Sequence, residues 1–318
     1  MAIQVQTQLT PVLDPQKQNI TLRVAAPIEE GTYPLVVFQH GTSLFTGWYS
    51  TLLNYTASQG YIVIAPQMYT SLFPSGCTLC VPTTDAFVEI QNAADVFKWV
   101  TDGAPLVLPA NVAINFSSVA LAGHSRGGKV AAGLAENMLA TDVSFQAYVG
   151  LDPVDGGPYA TAPSLPPTSN CSAPHSTFLN APALLYGSGL GARSIFPGAP
   201  ACVPPAVSYA HYFGCYGNQT YELVATDYGH MDLLDDNLSG CCQHPLNCAA
   251  AALCAGASAG FSRGLLRTYL GQLVVAFLDS ALKGQSGAFE EFFENWKKAP
   301  IALKDVQAYP PSLERASS

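Results

Sequence analysis

Residues 119–138 read VALAGHSRGGKVAAGLAENM, and this stretch decides the fold. The apolar run from Val119 to Ala122 predicts a buried strand, and the residues from Gly127 to Leu139 predict a helix. Between them stands Gly-His-Ser-Arg-Gly, a G-x-S-x-G pattern at a strand-to-helix turn. Such a turn holds its serine in strained backbone geometry, and the flanking glycines leave room for the turn. The stretch therefore predicts that Ser125 is a nucleophile.

Apolar segments on both sides of this turn predict an alternation of strands and helices. The predicted strands are residues 3–9 and 20–25 as a hairpin, then 35–39, 61–65, 145–151, 183–186 and 221–225; the predicted helices are 48–58, a segment capped by Thr84 that carries Phe87 to Phe97, and 265–282. Strands that alternate with helices form a mainly parallel sheet covered on both faces. With the serine turn, this predicts the α/β-hydrolase fold as a single domain over 1–318.

Composition narrows the class of function. The chain has 318 residues, of which 49% are hydrophobic and only 11% charged, and its formal net charge is -9. A nucleic-acid partner would require a basic face, and an anionic membrane would repel this charge. No segment has the length and composition of a transmembrane helix, and the start MAIQVQTQLT lacks a signal-peptide pattern. We therefore expect an enzyme for apolar ligands, with no nucleic acid and no transmembrane segment.

Cysteines and glycosylation sequons favour an oxidising compartment. Seven of the nine cysteines follow residue 170, which predicts a loop-rich region at about 153–260 stapled by disulfides. Cys77 and Cys80 form a C-x-x-C pair without a thioredoxin-like context, which favours a structural disulfide. Six Asn-x-Ser/Thr sequons begin at residues 19, 54, 115, 170, 218 and 237. Together these features favour the secretory pathway, and the sequons predict a glycoprotein.

Two backbone N–H groups are needed to stabilise the oxyanion of an ester-cleavage intermediate. In this kind of site one donor is the residue after the nucleophile, here Arg126. The other comes from the loop after the third strand, which begins His40-Gly41-Thr42, so Thr42 is the second candidate.

A serine needs a histidine base, and six histidines compete for that role. In this fold the histidine follows the last strand, where His230 stands in TDYGHMD. The orienting acid is expected at the carboxyl end of the strand after the nucleophile helix, where Asp152 stands in LDPV. Asp155 is the rival, whereas the aspartates at 227, 232, 235 and 236 are expected to shape the histidine loop.

Four segments together resemble the chlorophyllase family. They are GHSRGG at 123–128, LDPVDG at 151–156, GSGLG at 187–191 and DYGHMDLLDD at 227–236, and the segments from His40 to Gln67 are also similar. The resemblance runs from about residue 18 to residue 285. It implies a serine esterase that splits the phytyl ester of chlorophyll into chlorophyllide and phytol. It also implies that the triad is Ser125, Asp152 and His230, which agrees with the positions expected from the residues.

The resemblance implies chlorophyll as the partner and no cofactor or metal site, because the magnesium belongs to the substrate. Leu44, Phe45 and Trp48 follow the oxyanion loop and are candidates for the apolar wall of the substrate site; for Trp48, helix packing is an equal alternative. Peripheral contact with pigment-bearing membranes is a further expectation.

Two other functions stay open at this point. One is a lipase or polyester hydrolase of the same fold, and the other is a hydrolase fold without catalysis that serves for binding. The cysteine content and sequon density depart from the family pattern, which favours the ER, the vacuole or the extracellular space over the chloroplast.

Overall fold

The computed structural model describes residues 3–13, 19–42, 44–68, 86–141, 143–156, 167–177, 179–199, 201–217, 219–236, 254–257 and 260–310. Nine strands form one sheet in the order β1-β2-β4-β3-β5-β6-β7-β8-β9. The strands are β1 Val5–Leu13, β2 Asn19–Pro27, β3 Gly31–Gln39, β4 Ile62–Pro66, β5 Val112–His124, β6 Ala147–Leu151, β7 Ala183–Ser188, β8 Thr220–Ala225 and β9 Leu303–Tyr309. All pairings from β4 through β3 to β8 are parallel, and the outer pairings are antiparallel.

Six α-helices accompany these strands in the described residues. They are α1 Ser50–Ser58, α2 Ala86–Gly103, α3 Arg126–Ala135, α4 Tyr209–Cys215, α5 Arg263–Lys283 and α6 Gly287–Glu294. The helix predicted from Trp48 begins as a short 3-10 turn at Thr46–Tyr49, and the predicted nucleophile helix ends four residues earlier than expected, at Ala135. Thr84, the predicted cap of α2, lies outside the described residues.

Two apolar layers cover the sheet. One face packs against α1, α5 and α6 and buries residues such as Leu53, Phe277 and Phe289. The other face packs against α2, α3 and α4 and buries residues such as Phe97 and Val130. Because the strands are buried on both faces, β4, β6 and β7 are continuous apolar runs. The expected parallel sheet with helices on both faces is confirmed.

The ninth strand, β9, was not predicted. Its residues LKDVQAY do not alternate cleanly, because Asp305 has a positive φ of 48° at a bulge opposite β8. Polar residues are common on such an edge strand. The antiparallel pairing of β9 with β8 closes this side of the sheet.

Although no segment was expected to have the length and composition of a transmembrane helix, helix α5 is, among the described residues, long and apolar enough by those two criteria to cross a membrane. Of the most apolar 18 residues of this helix, 56% are buried inside the protein. Leu270, Leu273 and Leu278 are fully packed in the core. A core helix has the same composition as a membrane span, so burial accounts for the hydropathy of α5.

Two disulfides join cysteines of the late region. Cys171 pairs with Cys215, and Cys202 pairs with Cys254. Both lie in the region where stapling was expected, so the disulfide prediction is confirmed for these four. The C-x-x-C pair at 77 and 80 and the cysteines at 241, 242 and 248 lie outside the described residues.

Candidate active site

Ser125 stands alone between the last residue of β5 and the first residue of α3. Its backbone has φ 57° and ψ -127°, a strained conformation that the neighbouring chain must enforce. The Ser125 carbonyl accepts hydrogen bonds from Gly128 N and Val154 N at 3.0 and 3.1 Å, and Ser125 N donates to Leu151 O at 3.1 Å. These contacts tie the turn to the end of β6, and the serine side chain remains partly exposed.

The glycines on either side of this turn are required by close backbone approach. A Cβ on Gly123 would lie 2.3 Å from the carbonyl oxygen of Gly127. A Cβ on Gly127 would lie 2.3 Å from the carbonyl oxygen of Gln39 in β3. Any side chain at these positions would push the helix away from the sheet, so the turn accepts only glycine there.

Asp152 and His230 meet beside this serine. Asp152 follows β6 with a φ of 51°, and His230 follows β8; both are almost completely buried. His230 Nδ1 donates to Asp152 Oδ2 at 2.8 Å. The same carboxylate accepts from Ser188 N at 3.1 Å and from the Ser188 hydroxyl. This leaves Nε2 of His230 as the ring nitrogen that can exchange a proton with a nucleophile.

Asp155, the rival acid, faces a different set of groups. Its carboxylate forms an ion pair with Lys129 of α3 and accepts from Thr168 N and Ser169 N at 2.8 and 2.7 Å. Both ion-pair partners are fully buried. Burial lowers the pKa of Lys129, and the Asp155 charge opposes that effect. Asp155 therefore joins the acid loop to the nucleophile helix.

The loop after β3 approaches the serine closely. A Cβ on Gly41 would lie 3.2 Å from Ser125 Cβ. Gly41 O accepts from His40 Nδ1 at 2.7 Å and from Leu44 N at 3.1 Å, while Gly41 N donates to the Tyr49 hydroxyl at 3.1 Å. With the Gly41 N–H already used, Thr42 is the next residue of this loop that can offer an N–H to the site.

Arg126, the other expected oxyanion donor, is fixed through its side chain. Its Nε lies 2.7 Å from Oε2 of Glu89 in α2, and Glu89 is completely buried. A buried ion pair with this geometry holds the first turn of α3 against α2. The backbone N–H of Arg126 therefore belongs to a turn that directly follows Ser125 and is tied to α2 by this ion pair.

The loop that carries His230 is held from three sides. Asp232 accepts from Gly229 N at 2.6 Å and from Ala257 N at 2.7 Å, and forms an ion pair with Arg263 of α5 at 3.4 Å. Asp235 accepts from Thr51 N at 3.1 Å and thereby caps α1. These contacts explain why acidic residues crowd the histidine in sequence: they attach its loop to α1 and α5.

The three candidates for the apolar wall of the substrate site differ in solvent exposure. Leu44 and Trp48 are completely buried in the core, whereas Phe45 is partly exposed and its ring centroid lies 5.1 Å from that of Trp48. Phe45 is therefore the residue of this group that an apolar ligand can touch, and the other two support it from beneath.

No group of three or more metal-ligating side chains occurs within the described ranges.

Several residues that shape the site were not predicted. Ser188 belongs to the GSGLG segment, which was noted without a role, and Glu89 lies in the α2 pattern as a lone charge on a buried face. Tyr49 carried no local signal, and Lys129 is a lone charge within the apolar nucleophile helix. A charged residue within an apolar helical stripe is the one sign that could have pointed to Glu89 and Lys129.

Comparison with known families gives a match across nearly the whole chain. A family model described as Chlorophyllase matches residues 2–310, a span that includes Ser125, Asp152 and His230. Chlorophyllase-2 of Arabidopsis thaliana is 37% identical over 273 residues, which cover 85% of this chain and 79% of that protein. Chlorophyllase-1, chloroplastic, of Citrus unshiu is 36% identical, with 90% and 80% covered. Chlorophyllase-1 of Arabidopsis thaliana is 32% identical, with 96% and 90% covered.

Among solved structures, a ferulic acid esterase from Streptomyces cinnamoneus superposes with a TM-score of 0.54. The sequence identity is 19%, and the alignment covers 88% of this chain and 89% of that protein. This likeness confirms the α/β-hydrolase fold expected from the sequence.

Proposed function

This chain belongs to the chlorophyllase family, and we propose that it hydrolyses the phytyl ester of chlorophyll to chlorophyllide and phytol. Family membership makes the chain a carboxylic-ester hydrolase of the serine type. The proposal concerns the substrate and the residues that act on it.

One observation supports the assignment of roles most strongly. The hydrogen bond from His230 to Asp152 lies beside the strained Ser125 turn, as a serine hydrolase requires. Asp152 keeps Nδ1 of His230 protonated, so Nε2 is the basic nitrogen. His230 then removes the proton of the Ser125 hydroxyl, and the oxygen attacks the propionate ester carbonyl. This produces a tetrahedral intermediate bound to Ser125.

The intermediate carries a negative oxygen that backbone N–H groups must stabilise. We assign this role to Thr42, whose loop lies against Ser125, and to Arg126, whose turn is fixed by Glu89. Loss of one such donor costs about 3 kcal/mol of transition-state stabilisation. Phytol then leaves with the proton from His230, and water hydrolyses the acyl-enzyme to release chlorophyllide.

Features of the surface agree with an apolar substrate. Phe45 is partly exposed next to the oxyanion loop and rests on the buried Trp48 ring. The low content of charged residues, 11%, agrees with a substrate that has a long hydrocarbon chain. Peripheral contact with a pigment-bearing membrane is part of the same proposal.

The test uses two substrates and one variant. The purified protein is incubated with chlorophyll in detergent micelles, and chlorophyllide is measured by chromatography; p-nitrophenyl butyrate is assayed in parallel. We expect both to be hydrolysed by the wild type and neither by Ser125→Ala, whose melting temperature should stay close to that of the wild type.

The outcomes separate the alternatives. Cleavage of the nitrophenyl ester without chlorophyllide would indicate another esterase of the same fold. No cleavage of either ester would indicate a binding protein, and near-normal turnover by folded Ser125→Ala would overturn the proposed role of Ser125.

For location, we propose an oxidising compartment of the secretory pathway. The two disulfides support this, and the exposed sequon residue Asn170 offers a glycosylation site beside one of them. A relative from Citrus unshiu is named chloroplastic, which makes the chloroplast the alternative. Sensitivity of the native protein to an endoglycosidase would support the secretory pathway, and unglycosylated protein in isolated chloroplasts would contradict it.

A further inference from the structure

A chain of buried hydrogen bonds connects the loop after β3 to the backbone of His230. Gly41 N donates to the Tyr49 hydroxyl at 3.1 Å, and that hydroxyl lies 2.7 Å from Nδ1 of His124. Nε2 of His124 lies 3.0 Å from the carbonyl oxygen of His230. The Tyr49 and His124 side chains are completely buried, and His230 is 2% exposed.

The carbonyl at one end fixes the direction of every bond in the chain. A carbonyl oxygen only accepts, so Nε2 of His124 must carry the proton. Burial and the neighbouring His230 lower the pKa of His124 well below 6.5, so the ring is neutral and its Nδ1 is an acceptor. The Tyr49 hydroxyl therefore donates to Nδ1, and its oxygen accepts from Gly41. Each group thus finds one partner of the right kind.

The position of this chain of hydrogen bonds gives it a role in the site. His124 is the residue before Ser125, at the end of β5. Its ring lies against that of His230, with centroids 4.5 Å apart. At its other end, Gly41 precedes Thr42 in the loop that lies against Ser125. The hydrogen bonds therefore join the two groups whose distances from Ser125 decide the reaction: the base and one oxyanion donor.

We propose that Tyr49 and His124 are positioning residues that set the base and the oxyanion loop relative to Ser125. Neither residue makes or breaks a bond or transfers a proton in the reaction, and both act through groups that do. This inference rests on the proposed function, because it assumes that Ser125, His230 and Thr42 have the roles given above. It also gives the second residue of the GHSRGG segment a definite task.

The task explains why a histidine suits this position. The residue must donate from one atom and accept at another on opposite sides of a rigid ring, and it must remain neutral next to the catalytic base. A lysine or arginine would bring a positive charge beside the imidazolium that forms at His230 during the reaction. A buried aliphatic side chain would leave the hydroxyl of Tyr49 and the carbonyl of His230 without these partners.

The experiment measures how four variants hydrolyse p-nitrophenyl butyrate, a soluble ester. The variants are Tyr49→Phe, His124→Leu, His124→Gln, and Tyr49→Phe combined with His124→Leu. Titration with a fluorophosphonate, run to completion, counts intact sites, so kcat is expressed per site. The control is Tyr61→Phe, since Tyr61 is also fully buried and donates to Asp279 at 2.6 Å. Tyr61 precedes β4 at the amino ends of the parallel strands, whereas Ser125 follows β5 at their carboxyl ends.

We expect kcat per site to fall about tenfold in Tyr49→Phe and about thirtyfold in His124→Leu, with KM changed less than about twofold, because misplaced groups slow the chemical step. His124→Gln should recover most of this loss, since its amide nitrogen is as many bonds from Cβ as Nε2 of histidine and can donate to the His230 carbonyl. In the combined variant the two losses should not multiply, since both break the same chain. Tyr61→Phe should lower the melting temperature without lowering kcat.

Wild-type kcat per site in Tyr49→Phe would overturn the inference, as would equal losses in His124→Gln and His124→Leu. A loss of kcat in Tyr61→Phe as large as in Tyr49→Phe would show a general effect of buried tyrosines and would also overturn it. Failure of the proposed function would be seen separately, as turnover by Ser125→Ala in the same assay.

Discussion

Nδ1 of His230 lies 2.8 Å from Oδ2 of Asp152, whereas Asp155, three residues further along, pairs with Lys129. Asp152→Asn should therefore lower kcat by about four orders of magnitude, since an amide no longer selects the tautomer of His230. Asp155→Asn should mainly lower stability, by about 3 kcal/mol, because it removes the carboxylate charge of a buried ion pair with Lys129. Its kcat per folded molecule should remain within about threefold of the wild type.

The check is steady-state hydrolysis of p-nitrophenyl butyrate together with urea unfolding of both variants. The reverse ranking of the two kcat values would assign the orienting acid to Asp155. A loss of stability without loss of turnover in Asp152→Asn would exclude a catalytic role for that carboxylate.

The ion pair between Glu89 and Arg126 leads to a second prediction. Glu89→Gln removes the charge that holds the Arg126 side chain, so the first turn of α3 becomes less well fixed beside Ser125. We expect kcat to fall about tenfold with little change in KM, as for a weakened oxyanion donor. Asp279→Asn is the matched control, because its ion pair with Lys283 lies near the far end of α5. An unchanged kcat in Glu89→Gln would mean that the Arg126 N–H is positioned by the backbone alone.

The parts of the fold that follow local rules could be predicted from the sequence. Neighbouring residues mark the strand, turn and helix around Ser125 in the sequence, and the apolar runs of β4, β6 and β7 are local patterns of the same kind. Strand β9 could not be predicted from the sequence. The bulge at Asp305 breaks its alternation of buried and exposed residues, and the strand depends on β8 for its pairing. The predicted helix ends differ from the observed ends by a few residues, because helix ends depend on capping contacts and on tertiary contacts.

The residues that hold the candidate catalytic side chains in place could not be predicted, because their hydrogen-bond partners are distant in sequence. Ser188 lies 36 residues from Asp152, and Tyr49 lies 75 residues from His124. Neither pairing leaves a local pattern, since it depends on how strands order themselves in the sheet. The sequence also could not separate Phe45 from Trp48, because an apolar residue in the core and one in a ligand site are the same type of residue.

Buried His40 leads to a prediction about pH. Burial lowers the pKa of His40 to about 4, from a usual value of 6.5. The unfolded chain therefore binds a proton at higher pH than the folded chain does. The stability that depends on neutral His40 is complete above about pH 6.5 and is lost as the pH falls towards 4. Between pH 7.5 and pH 5 this amounts to about 2 kcal/mol.

The measurement is urea unfolding of the wild type and of His40→Gln at both pH values. The wild type should lose about 2 kcal/mol more than the variant between pH 7.5 and pH 5, because the variant lacks this titrating group. Other buried histidines are common to both proteins and cancel in the comparison. Equal losses in the two proteins would show that His40 does not resist protonation in the folded state.

The disulfide between Cys202 and Cys254 leads to the last prediction. Its sequence separation is 52 residues, and loop closure of that length is worth about 4 kcal/mol. Residue 254 begins the short described segment 254–257, in which Ala257 N donates to Asp232 of the His230 loop at 2.7 Å. Replacing both cysteines by serine should therefore lower the melting temperature and, in addition, kcat by about tenfold, because the His230 loop loses one of its supports.

The Cys171–Cys215 pair provides the matched control, since it closes a loop of similar separation, 44 residues, but ends beside Ser169 and Asp155 rather than at the His230 loop. Replacing that pair should cost comparable stability with a smaller loss of kcat. Thiol counting on denatured, unreduced protein tests the premise: the described residues hold two disulfides, so at least four of the nine cysteines are oxidised and at most five should react. Eight or nine reactive thiols would reject the disulfides and remove their support for a secretory location. Equal losses of kcat in the two serine pairs would instead show that cross-linking stabilises the domain generally and does not support His230 in particular.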